Sequence, residues 1–168
     1  EHDAPPLRPN VLATRGVLNR IQLSPTLASD QGLFLVGGPS THFGWDNSTL
    51  YQQIAILVAT TPTIRWTLTT SRRTPSSFLE GLPTIFDHKL TVVPVTQTSP
   101  DWLPEQLAQA RYTWVTADSV SMVYEALTAG TTVGVLELPQ QCPSRVSRGL
   151  DRLATESWVT FFSDWQRN

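Results

Sequence analysis

The 168-residue chain carries 12 basic and 14 acidic residues, a formal charge of −2, with 40% hydrophobic and only 15% charged side chains. That balance excludes a disordered polyelectrolyte, which combines low hydropathy with high net charge, and it offers no basic excess to neutralise a nucleic acid. The single cysteine, Cys142, makes neither an intrachain disulfide nor a cysteine-rich zinc site, and the longest apolar run is about six residues against the ~20 that cross a bilayer.

The length suits one domain of roughly 150 residues. No charged-then-apolar leader opens the chain. It begins at Glu1 rather than Met, so either a piece was removed or the chain is cut from something longer. Glu1 to Asn10 carries Pro5, Pro6 and Pro9 and reads as a linker or extended arm. Val17 to Leu23 reads as a short strand or a strap. Residues 1–31 are therefore expected to be a linker or strap, and 32–168 a Rossmann-like domain.

From Gly32 the chain alternates between strand and helix signals. Leu33-Phe34-Leu35-Val36 is a continuous apolar run ended by Gly37-Gly38-Pro39, as in a strand buried on both faces of a parallel sheet. Asp46 can cap a helix with apolar positions Leu50, Ile54, Leu57 and Val58, and Pro62 stops it. Ile64 to Thr70 alternates as a second strand. Pro75 to Gly81 is a short helix with its proline in the first turn. Leu90 to Val95 is a third strand, at a sheet edge because of Pro94. Trp102 to Ala110 is helical and Tyr112 to Thr116 is the fourth strand. Ser119 to Ala129 is a helix ending at Gly130, and Val133 to Leu138 is the fifth strand. Arg145 to Glu156 is a further helix and Trp158 to Phe162 a last strand. This alternation predicts an α/β domain of three layers with a mainly parallel sheet.

Ligands of an open parallel sheet bind beyond the carboxyl ends of its strands. After the first strand stand Gly37, Gly38, Ser40, Thr41 and His42; after the second, Ser71, Arg72 and Arg73; after the fourth, Asp118, Ser119 and Ser121. Eleven of the twelve basic residues are arginine, the better fork for a phosphate. Glycines, hydroxyls, two arginines and two helix starts on one rim suit an anion such as a diphosphate. Each also has a plainer role: a tight turn for Gly37-Gly38, an N-cap for Asp118 or Ser119, a solvated surface for Arg72, Arg73 and His42. On the helix after the fourth strand, ~100° per residue gathers Val120, Val123, Tyr124 and Leu127 into an apolar stripe. Asp118, Ser121, Glu125 and Thr128 fall opposite. Glu125, one turn from Ser121, can accept hydrogen bonds from the diol of a ribose; a solvated surface glutamate is the plainer alternative.

The segments Gly37-Gly38-Pro39-Ser40-Thr41-His42-Phe43-Gly44-Trp45-Asp46, Thr69-Thr70-Ser71-Arg72-Arg73-Thr74-Pro75 and Thr116-Ala117-Asp118-Ser119-Val120-Ser121-Met122-Val123-Tyr124-Glu125-Ala126 resemble, as a set, the mitochondrial fission (elongated-mitochondria) family. The likeness runs from about Asn10 to Pro139, and Arg15-Gly16-Val17-Leu18-Asn19-Arg20 resembles the segment that precedes the family's C-terminal half. That family in turn resembles the GT-B glycosyltransferases, whose C-terminal domain holds a nucleotide-sugar donor with a Gly-rich loop and a ribose-binding glutamate. Gly37-Gly38 and Glu125 stand where those features would be. Gly130-Thr131-Thr132 departs from the Gly-x-Pro turn common in such proteins, and the short tail after Trp158 argues against a helix crossing back to the N-terminal domain.

The resemblance implies the donor-binding half of a glycosyltransferase-like protein. Its substrate would be a nucleotide diphosphate sugar, with no tightly bound cofactor and no metal. Residues 1–31 would be the linker or strap from a missing N-terminal domain and 32–168 the nucleotide-sugar-binding domain; the missing domain would supply the rest of the active site, so this half alone would be inactive. His42 is the one candidate base within the motifs. The alternative is a non-enzymatic interaction protein with a relic donor cleft. A nicotinamide-dependent oxidoreductase is disfavoured, since Gly37-Gly38-Pro39-Ser40 lacks the G-x-G-x-x-G spacing and no acidic residue ends the second strand. The expected location is the cytoplasm of a bacterium, or an organelle surface for a plant member.

Overall fold

The computed structural model describes residues 8–12, 14, 16–24, 28–82 and 89–167. Arg15 and most of the proline-rich arm lie outside the described residues. The elements run β1 (Ala28–Val36), α1 (Asn47–Thr60), β2 (Arg65–Thr70), α2 (Ser76–Glu80), β3 (Leu90–Val93), α3 (Trp102–Leu107), β4 (Ala110–Thr116), α4 (Val120–Ala129), β5 (Thr132–Leu136), α5 (Arg145–Thr155), β6 (Val159–Phe161) and α6 (Phe162–Arg167). A turn of 3₁₀-helix, Val95–Gln97, follows β3.

All neighbouring strands are parallel, in the order β3-β2-β1-β4-β5-β6. This is the doubly wound Rossmann order, whose direction reverses between β1 and β4. The chain is thus a Rossmann-like α/β domain. Leu33, Phe34, Leu35 and Val36 of β1 are all buried, as a central strand covered on both faces requires. Trp114 and Val115 of β4 and Val133 and Val135 of β5 are buried too, and β3 with its trailing Pro94 is an edge strand.

One boundary shifts, one alternative is resolved and one element is added. The first strand starts at Ala28 rather than Leu33, with a bulge against β4 between Ala28 and Gly32. Val17 to Leu23 forms no strand and runs as a strap over α4: Asn19 Nδ2 donates to Thr128 Oγ1 (3.0 Å) and the Ser24 amide to the Ala129 carbonyl (3.1 Å). The tail does end in a helix, α6, entered directly from β6.

The face that α4 buries also differs from expectation. Val123, Ala126 and Ala129 are buried, while Tyr124 and Leu127 are only half-buried. Two alanines let the helix axis sit close to the sheet, which moves the bulkier side chains to its flank. Gly130 ends the helix at φ +86°, a left-handed conformation that glycine adopts without steric cost.

Two cross-strand pairs set how closely the sheet packs. Gly32 is in register with Trp66, and Gly134 with Trp114. A Cβ at either glycine would come within 2.4 Å of the neighbouring indole. The Trp66 ring stacks on Phe34 at 4.4 Å, and Trp114 meets Trp165 edge-on at 5.7 Å. Gly134→Val is therefore expected to cost about 1–3 kcal/mol, the range for overpacking a core. Denaturant unfolding checks this as a lowered midpoint with an unchanged slope.

Candidate functional site

Three loops meet where the sheet order reverses. The amide of Gly37, just past β1, donates to Thr116 Oγ1 at the end of β4 (2.8 Å). The Gly38 amide donates to Asp118 Oδ2 (3.0 Å). Arg73 reaches across from the loop after β2. Its Nη2 donates to Asp118 Oδ2 (2.7 Å) and Ser119 Oγ (3.1 Å), and its Nη1 to the carbonyls of Gly38 and Pro39 (3.1 and 3.2 Å). Ser71 braces this loop, accepting from the Arg73 amide at its Oγ (3.1 Å) while its own amide donates to Thr74 Oγ1 (2.8 Å). All three motif loops thus share one rim.

Packing between them is tight. A Cβ on Gly37 would meet Ser119 Oγ at 2.2 Å and Asp118 Oδ2 at 2.3 Å, and one on Gly38 would meet the Arg73 carbonyl at 2.2 Å. The Asp118 side chain has no exposure, and Arg73 is about half exposed. Between the first and fourth strand ends the rim is filled by the protein's own carboxylate, which takes the Gly38 amide and the Arg73 guanidinium. Asp118 Oδ1 is buried without a hydrogen-bond partner.

The two helix starts behave differently. Asp46 caps α1, accepting from the Ser48 amide (2.9 Å) and Thr49 Oγ1 (2.6 Å). The Thr49 hydroxyl chiefly holds its carboxyl below the ordinary range. Ser119, at the start of α4, makes no side-chain capping bond. The first intrahelical bond runs from the Val123 amide to the Ser119 carbonyl, so the amides of Val120, Ser121 and Met122 have no acceptor within the helix. Ser121 is exposed there, as are Thr41 and Arg72.

Ser40 Oγ accepts from the amides of His42 and Phe43 (3.3 and 3.1 Å), shaping a turn. The His42 carbonyl accepts from the Gln141 amide (3.0 Å), tying this loop to the one after β5. His42 Nδ1 is buried without a partner. A neighbouring cavity of about 240 Å³ beyond β4 and β5 is lined partly by Glu137, Asp151 and Asp164, a poor place for an anion. Among the described residues no group of three or more His, Cys, Asp or Glu converges to hold a metal ion.

Glu125 is half-buried on the flank of α4 opposite to Leu127. Burial lifts its carboxyl above the usual 4.5, opposed by the Arg20 guanidinium of the strap. Arg20 itself donates to the Pro100 carbonyl (3.2 Å). The residue that sequence reasoning misses is Asp118 in its actual role. The available signal is an acid placed just past a strand end, beside loops that otherwise supply glycines, hydroxyls and arginines, which burial obliges to find a cation.

The chain belongs to the mitochondrial fission ELM1 family, whose model matches residues 1–168. No curated protein matches its sequence significantly. Among solved structures it is similar to an FMN-dependent UbiX-like decarboxylase from Escherichia coli O157:H7, at 8% identity and TM-score 0.48 over 77% of this chain and 78% of that one. It is similar also to the cypemycin decarboxylase CypD, at 14% identity and TM-score 0.45 over 84% and 85%. A third likeness is to the C-terminal domain of a glycosyl transferase group 1 family protein from Francisella tularensis, at 13% identity and TM-score 0.44 over 78% of each. At such identities these likenesses say nothing of chemistry.

Two stability measurements follow from this geometry. Arg73→Ala strands a buried carboxylate and is expected to cost about 1–3 kcal/mol; adding Asp118→Asn to it should recover part of the loss in a double-mutant cycle. Glu125 titrates with its folded-state carboxyl raised, so the folded protein holds more protons than the unfolded one above pH 4.5, and stability falls as pH rises through that window. Glu125→Gln is therefore expected to be the more stable protein at pH 7, its advantage vanishing below pH 4.5, as thermal melts across pH will read.

Proposed function

We propose, with membership of the ELM1 family as the premise, that this chain is the donor-binding half of a glycosyltransferase-like protein. It would bind a nucleotide diphosphate sugar at the carboxyl ends of β1 and β4. The observation that carries the reading is the convergence of the three motif loops at the point where the sheet order reverses, beside a helix start that no side chain caps. Crevices at such points are where open α/β sheets bind nucleotides, and free amides at a helix start favour a phosphate.

The chemistry assigns the roles. Arg73 is engaged with Asp118, so the diphosphate would meet the first turn of α4, the exposed Ser121 and the exposed Arg72. These groups stabilise a leaving diphosphate electrostatically. Glu125, raised by burial, becomes a better partner for ribose hydroxyls than for water: a desolvated carboxylate regains hydrogen bonds when the diol arrives. A base and the acceptor side would come from outside this chain. His42 Nδ1, buried and unpartnered, is a less suitable base than an accessible group.

A second reading has one observation of its own. Asp118 occupies the position an anion would take between Gly37 and Arg73, as in a donor cleft turned into a structural brace within a non-enzymatic interaction protein.

Titration calorimetry on the full-length protein distinguishes the two. After a thermal-shift screen selects the nucleoside diphosphate, Glu125→Gln is expected to weaken its binding by about tenfold, near 1.4 kcal/mol. The 2′-deoxy analogue should lose affinity for the native protein and lose much less for Glu125→Ala. Additive losses would remove Glu125 from the ribose site. A folded full-length protein that binds no nucleotide would favour the brace.

A further inference from the structure

The strap of residues 16–24 lies over the groove between α3 and α4. At its C-terminal end Ser24 touches both walls. Its Oγ donates to the Ala108 carbonyl where α3 stops (2.7 Å), and its amide to the Ala129 carbonyl where α4 stops (3.1 Å). Five residues earlier, Asn19 is bonded to α4 through Thr128 Oγ1 (3.0 Å), and its Oδ1 accepts from the Ile21 amide (3.0 Å). Arg20 reaches the opposite wall, where its Nη2 donates to the carbonyl of Pro100 (3.2 Å), two residues before α3. Its side chain thus crosses the groove from α4 to the entrance of α3.

Glu125 stands about one turn before Thr128 on α4, so the two share a face. That face is the one the strap covers, and the Arg20 guanidinium opposes the effect of burial on the Glu125 carboxyl. Yet the two form no ion pair, and the Glu125 carboxylate accepts no hydrogen bond among the described residues. Of the five N–H donors in a guanidinium, Arg20 commits one, to Pro100.

These two groups make opposite demands on whatever sits between them. A carboxylate only accepts hydrogen bonds and a guanidinium only donates them. An ammonium group can only donate, so it serves Glu125 alone. A carboxylate or phosphate ligand accepts from Arg20 and is repelled by Glu125. A vicinal diol satisfies both, since each hydroxyl turns its hydrogen to Glu125 and keeps lone pairs for Arg20.

We propose that Arg20 is a second ribose-binding residue of the donor site, meeting the diol from the side opposite to Glu125. The proposal rests on the donor reading of Glu125 and adds the strap to that site. The bond to Pro100 holds the guanidinium in place before the nucleotide arrives, which lowers the ordering cost of binding.

The test is titration calorimetry on the full-length protein. The ribonucleoside diphosphate that the thermal-shift screen selects from ADP, GDP, CDP and UDP is compared with its 2′-deoxy and 3′-deoxy forms. Arg20 is exposed, so Arg20→Ala is expected to fold with an unchanged melting temperature. It should weaken the ribonucleotide about tenfold and at least one deoxy form much less, the signature of a contact with the missing hydroxyl. The proposal is overturned if Arg20→Ala binds all three as the native protein does. It is overturned equally if all three weaken by one factor, which would mark a phosphate contact or a strap that merely supports the fold. Glu125→Ala in the same titrations separates the two readings: coupling to the hydroxyls at Glu125 but not at Arg20 keeps the donor site and removes Arg20 from it. A folded native protein that binds none of these diphosphates removes both.

Discussion

A carboxylate sealed from water must find donors or destabilise the fold, and Asp118 finds them on three loops at once. Its Oδ2 takes the Gly38 amide from the end of β1, the Arg73 guanidinium from the end of β2 and the neighbouring Ser119 hydroxyl at the end of β4. The strand ends at the reversal of the sheet are thereby locked into a single rim. The glycines of the first motif follow from the same constraint. With Asp118 and Ser119 pressed against Gly37 and the Arg73 backbone against Gly38, a side chain at either position has nowhere to go.

Holding Asp118 in this way frees something else. Because Ser119 Oγ donates to Asp118 rather than accepting from the helix, the start of α4 keeps its amides uncapped. The contrast with α1, whose Asp46 closes its own first turn, separates a helix start finished for stability from one left open. The carboxylate that braces the three loops thus leaves the first amides of α4 open a few residues further along, so a donor bound as proposed would use the same rim as the brace without occupying the same point.

Much of the fold is legible in the sequence because a parallel sheet writes itself in unbroken apolar runs. Leu33–Val36 marks a doubly covered strand, Asp46 a helix start and Gly130 a helix stop. The features that escape are long-range or understated. Arg73 and Asp118 are 45 residues apart, and only the strand order brings them together. The buried face of α4 rests on Ala126 and Ala129, which carry little weight in a pattern dominated by Tyr124 and Leu127. No turn residue separates β6 from α6, so the last helix has no punctuation, and the polar start of β1, Ser29 to Gln31, does not look like strand. At the site, spacing and strand order reveal the shared rim; that Asp118 turns inward as its brace depends on side-chain burial that no local pattern encodes.

Helix α4 ties these observations together. Its inner face is small and close to the sheet. One flank carries Glu125 under the strap residue Arg20, and the other carries Tyr124 and Leu127 along a channel shared with α5. Coupling between two sites needs an element with two discrete arrangements, and α4 is held at both ends. The Ser119 amide is bonded to Thr116 at one end, and at the other the left-handed Gly130 sits beneath Leu23 while the Ser24 amide bonds Ala129. The strap is the element that touches both flanks, with Gly16 against Tyr124 and Arg20 beside Glu125. Any coupling between the two flanks therefore runs through residues 16–24 rather than through a helix pinned at both ends.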